Sequence, residues 1–121
     1  MCEKAIGFVN QLIEKTEQGK LSWSTGGFED GQFKTVLPGG KLAFVVSVKG
    51  EVRRFRMLDD HQEVILDETV TRDEAHLANV RGDSRPDVLY GAILSLQELA
   101  RSRALRVNEK LAEAERLLLS I

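Results

Sequence analysis

Arg53, Arg54 and Arg56 crowd into one stretch of four positions, and Arg101, Arg103 and Arg106 form a second basic cluster nearer the C-terminus. Guanidinium groups pair with phosphates, and aromatic rings beside them stack on bases, which is how sheet-based RNA readers work. Trp23 together with Arg54 and Arg56 would supply such a surface. The opposing consideration is charge balance: 17 basic residues stand against 19 acidic ones, for a formal net charge of -2. Salt bridging is then the ordinary fate of these arginines, and no general attraction to a phosphate backbone or anionic lipid follows. DNA binding is not expected, and RNA stays as the alternative reading.

The other reactive residue types are scattered. His61 lies in the acidic stretch Asp59-Asp60-His61-Gln62-Glu63 and His76 in a polar segment, with no second histidine at ligand spacing. A solvated turn explains the first better than a cation site does. Ser24, Thr25 and Ser47 fall in no nucleophile-elbow pattern. The glycines at 26, 27, 39 and 40 precede no helix and lack the Lys-Ser/Thr ending of a phosphate loop, so they are read as turn residues. The carboxylate pairs Glu29-Asp30 and Asp59-Asp60 sit among turn formers, where nothing would separate their pKa values for acid and base roles. Arg81-Gly82-Asp83 spells an adhesion tripeptide, read as a coincidence in a polar loop. The expectation is no catalytic set, no cofactor and no metal.

Chain-wide properties narrow the class further. The 121 residues suit one domain with one core, and 42% hydrophobic with 30% charged residues is enough to offset the entropy of ordering. Cys2 is the sole cysteine, which leaves no intramolecular disulfide and no cysteine cage for a metal. The first residues form neither a basic-then-apolar signal nor a spanning segment, and the expected location is cytoplasmic.

Periodicity supplies the elements that would position these residues. Ala5, Ile6, Val9, Leu12, Ile13 and Thr16 recur at spacings of three and four, which predicts an amphipathic helix that Gly19 ends. Gly26-Gly27, Gly31, Pro38-Gly39-Gly40 and Lys49-Gly50 then punctuate short runs rich in Val, Phe and Thr, as hairpin turns do. Positions 41–49 alternate most clearly, with Leu42, Phe44, Val46 and Val48 on one face of a central strand. In 51–58, Arg53 shares a face with Phe55 and Met57, whereas Arg54 and Arg56 share the other with Val52 and Leu58. Positions 64–66 read as a short return strand. Thr71 and Glu74 have capping-box spacing for one or two helical turns, and Ser84-Arg85-Pro86-Asp87 is a stronger helix start. An apolar stripe runs from Leu89 through Ile121, with Asn108 able to cap a separate last helix after a soft break near Arg106, although one bent helix would also fit.

Two stretches carry a resemblance. Gly19-Lys20-Leu21-Ser22-Trp23 after the first helix, and Leu-Gln-Glu-Leu-Ala-Arg-Ser-Arg-Ala-Leu-Arg-Val-Asn-Glu at 96–109, resemble a loose group of small uncharacterised bacterial proteins. Their common plan is a helix, a Gly-Lys-x-x-Trp stretch, a β-meander and a closing helix. The resemblance implies an α+β fold and a bacterial source, and it carries no activity across.

The sequence therefore predicts a single α+β domain: a four-stranded, mostly antiparallel meander packed against the N-terminal helix and one or two C-terminal helices. Its expected function is a non-enzymatic interaction or regulatory module, with an unidentified protein partner, a homodimer and no membrane association. The alternative is a small-ligand or RNA-binding domain using the sheet face. The candidate partner surface comprises Trp23, Phe28, Arg53, Arg54 and Arg56; Trp23 and Phe28 are read first as plugs of the core edge, and as partner anchors if either is exposed.

Overall fold

Ala5, Val9, Leu12 and Thr16 follow one another at helical spacing and are all buried, so the first helix, α1 (Cys2–Glu17), seats one stripe on the rest of the protein. The computed structural model describes residues 2–25 and 31–121. Gly19 ends α1 at φ 75°, a left-handed conformation that a side chain disfavours. Its N–H donates to the Thr16 carbonyl at 3.0 Å, while the Lys20 N–H donates to the Lys15 carbonyl at 2.9 Å. That pair of bonds is a Schellman motif, which satisfies the last helical carbonyls and turns the chain back.

The reversal brings Trp23 over the last turn of α1. Its Nε1 donates to Thr16 Oγ1 at 2.9 Å, and Thr16 Oγ1 donates in turn to the Leu12 carbonyl at 2.6 Å. The Gly-Lys-x-x-Trp stretch thus acts as a helix stop followed by a buried anchor.

Among the described residues five strands follow in a plain antiparallel meander of order β1 to β5: β1 (Ser24–Thr25), β2 (Gln32–Val36), β3 (Leu42–Lys49), β4 (Val52–Asp59) and β5 (Val64–Thr71). The sequence predicts four strands, and the structure corrects this to five. The extra one is β1, whose two residues pair Ser24 with Lys34 and Thr25 with Phe33. A two-residue strand has no room to show alternation, so periodicity could not find it. The return strand β5 also runs five residues past position 66, through Asp67, Glu68 and Thr69. These polar residues stay in the sheet because Asp67 lies opposite Arg56 and accepts from Arg54.

Cross-strand register places Phe33 beside Val46, Val46 beside Phe55, and Phe44 beside Met57, all on one face. The Phe44 and Phe55 rings stack at 5.5 Å between centroids. The helices cover this face. Thr71 caps α2 (Arg72–Val80), its Oγ1 accepting from the Glu74 N–H at 3.2 Å. Ser84 precedes the last helix, α3 (Arg85–Leu119), without a side-chain cap; Asp83 Oδ1 accepts from the Arg85 N–H at 3.1 Å instead. Of the two arrangements open to the last third of the chain, α3 takes the continuous one, with Arg106 and Asn108 inside it.

The core lies between that sheet face and the helices. Leu89, Ile93, Leu96, Ala100 and Ala104 of α3 meet Ala5, Val9 and Leu12 of α1, with Phe33, Phe44, Val46 and Phe55 beneath. The opposite sheet face contributes no residue to this cluster. There, Val36, Ala43, Leu58 and Val64 form an apolar row across four strands, beside a row of Lys34, Val45, Arg56 and Asp67. Val45 is buried between the neighbouring Lys34 and Arg56, whose aliphatic stems can cover it.

Candidate interaction surfaces

The strand arginines divide between the two faces of β4, as alternation requires. Arg53 points to the helix side, where its guanidinium lies 3.5 Å from the centroid of the Tyr90 ring and Nη1 donates to the Tyr90 carbonyl at 2.7 Å. It therefore ties β4 to α3 by a cation–π stack and a charge-assisted hydrogen bond. Arg54 faces the opposite side and makes a two-pronged contact with Asp67, at 2.9 and 2.6 Å. These hydrogen bonds hold the Asp67 carboxyl below the usual carboxylate range against the opposing effect of burial, with the charges of Arg54 and Arg56 adding to them. Arg56 shares the face of Arg54 and keeps its Nε buried without a hydrogen-bond partner among the described residues.

Trp23 is 3% exposed, a core anchor whose indole edge is already hydrogen-bonded. It does not join Arg54 and Arg56 on one surface. Phe28, the pair Glu29-Asp30 and the glycines 26 and 27 lie outside the described residues. The acidic stretch after β4 forms a turn, in which Asp59 Oδ1 accepts from the backbone N–H of His61 and of Glu63, each at 2.9 Å. No group of three or more metal-ligating side chains occurs among the described residues. None of their helices is long and apolar enough to cross a membrane.

Two features with chemical consequence emerge from the fold instead. The first is the far half of α3. Residues 105–121 are exposed without interruption, so the last 15 residues of α3, about 22 Å of helix, project beyond the core. The stripe that α3 buries against the core, ending at Ala100 and Ala104, continues in the same phase through Val107, Leu111, Ala114 and Leu118, with Ile121 just past the helix end. Spacings of three and four alternate strictly from Ala104 onward, which is the heptad pattern of a helix that packs along another helix. Leu111 is 59% exposed and Leu118 72%, so the row forms a contiguous apolar strip on the helix surface.

The second is an open cleft of about 330 Å³ between the end of α1 and the β2–β3 turn. Phe8 and Phe44, with ring centroids 5.5 Å apart, together with Leu12, Leu21 and Leu37 give it an apolar lining. Lys15 and Lys20 complete it, both exposed and without an ion pair among the described residues. The Schellman motif is what places them side by side, since it bonds the backbone of one to the other. Neither lysine stands out in the sequence, because the aromatic and aliphatic partners come from remote segments.

No protein-family model, curated protein or solved structure matches this chain, so function is read from the surfaces alone.

Proposed function

We propose that the protein is a non-enzymatic interaction module whose docking element is the projecting half of α3, and whose partner there is a second copy of the same chain. The observation that carries this is the heptad stripe on a helix segment whose residues are all exposed. Burial of a Leu or Ile side chain stabilises by about 1.5–3 kcal/mol, so leaving this row in water is costly. A homodimer in the bacterial cytoplasm, the expectation drawn from the sequence, fits that surface.

Side-chain size favours an antiparallel, two-fold arrangement of the two stripes. The side chains complement in size when Val107 faces Leu118 and Leu111 faces Ala114 of the other copy. Each layer then joins a smaller residue to a larger one.

Sedimentation equilibrium tests the copy, and cysteine cross-linking tests its direction. The expected mass is twice 13.5 kDa at micromolar or higher concentration. In a Cys2→Ser background, a mixture of Val107→Cys and Leu118→Cys chains should oxidise to the mixed pair, and neither variant alone should cross-link efficiently. A monomer at every concentration up to the millimolar range defeats the proposal.

A further inference from the structure

We propose that the cleft between α1 and the β2–β3 turn binds an amphipathic carboxylate: a medium-length hydrocarbon chain lies against Phe8, Leu21, Leu37 and Phe44, and its carboxylate sits between Lys15 and Lys20. Three observations support this assignment. The cleft volume of about 330 Å³ falls at the small end of the range typical of ligand pockets, which suits a chain of modest length. Its floor is aromatic and aliphatic, so a tail gains from leaving water and a polar ligand would not. The two ammonium groups at the margin have no acidic partner among the described residues, whereas nearby Glu14 accepts a hydrogen bond from Gln18 at 3.3 Å.

Backbone geometry makes the pair of lysines a fixed feature. Lys15 is in the last turn of α1 and Lys20 is the residue after Gly19, and the 2.9 Å bond from the Lys20 N–H to the Lys15 carbonyl locks their spacing. An anion here meets two positive side chains that need no rearrangement of the main chain. None of the residues lining the cleft belongs to the projecting stripe of α3.

Isothermal titration calorimetry of the full chain with octanoate, octan-1-ol and acetate separates the two halves of the ligand. The expected result is saturable 1:1 binding of octanoate, weaker binding of octan-1-ol and none of acetate. Lys15→Gln with Lys20→Gln should weaken octanoate by roughly three- to thirtyfold, the range for two exposed charge contacts, and leave octan-1-ol unchanged. Gln11 also lines the cleft from the exposed side of α1, and Gln11→Trp should fill it and abolish binding of both tail-bearing probes while the circular dichroism spectrum is preserved. Absence of saturable octanoate binding overturns the proposal, as does octanoate affinity that is indifferent to the paired lysine substitutions or to Gln11→Trp.

Discussion

Replacing Thr16 by Val tests the joint that holds the end of α1 to the chain that follows. Thr16 is fully buried and Trp23 is 3% exposed, so the indole N–H has no access to water if its acceptor is removed. Valine keeps the shape and takes away the oxygen; the penalty is then that of a buried donor left unsatisfied, about 1–3 kcal/mol. For a chain of 121 residues that corresponds to a fall in Tm of roughly 3–15 °C. Trp23 is the sole tryptophan, and its fluorescence reports the local environment while circular dichroism reports global unfolding. Scans at one fixed protein concentration keep assembly from shifting the midpoint. Trp23→Phe removes the donor, and in that background Thr16→Val should cost about 1–2 kcal/mol less than in the parent chain. Strict additivity of the two substitutions, or a Thr16→Val midpoint equal to the parent's, refutes the hydrogen-bond account of this joint.

Three further outcomes are expected. Leu118, 72% exposed on one chain, should lose about 1–2 kcal/mol of burial per copy on replacement by Ala, and two-fold symmetry doubles this to roughly a 30- to 1,000-fold weaker dimer; sedimentation equilibrium with an unchanged dissociation constant would exclude that stripe as the interface. Gly31 has φ +77° and an added Cβ would lie 2.5 Å from the Val48 carbonyl oxygen, so Gly31→Ala should lower stability by more than about 2 kcal/mol, and an unmoved urea midpoint contradicts the geometry. Asp67 has its folded-state pKa depressed by Arg54, which means the pair stabilises above the unfolded carboxylate value of about 4 and fades as pH falls through the lower folded value. Because both partners are partly exposed, Arg54→Gln should cost no more than about 1 kcal/mol at pH 7, with the difference from the parent narrowing toward pH 2; a gap that stays constant in urea titrations would show that the ion pair is not its source.

Elements with a strong period were legible from the residues. The stripe of α1, the alternation of β3 and β4, the Thr71–Glu74 cap and the start of α3 near Pro86 follow from local pattern, because each repeats a contact with one surface. The strand β1 did not follow, since two residues paired on a single side have no periodicity. The full length of β5 was hidden because Asp67, Glu68 and Thr69 read as loop until Arg54 and Arg56 stand beside them. Of the named surface residues, strand alternation separates Arg53 from Arg54 and Arg56 in advance, but nothing local says that Arg53 rests on the Tyr90 ring or that the Trp23 indole is bonded to Thr16.

The sequence by itself determined the α+β order of elements, the helix stop at Gly19 and a single apolar stripe from Leu89 to Ile121, because these depend on neighbours a few residues apart. Only the tertiary structure decided which parts of that pattern are covered. The sheet and α1 end before α3 does, so identical spacing is core at Ile93 and Leu96 and bare surface at Leu111 and Leu118. It also brought Phe44 and Leu37 to Lys15 and Lys20, making a cleft from segments that share no local signal. Burial and pocket formation are properties of what packs against a residue, and that partner is set by the path of the whole chain.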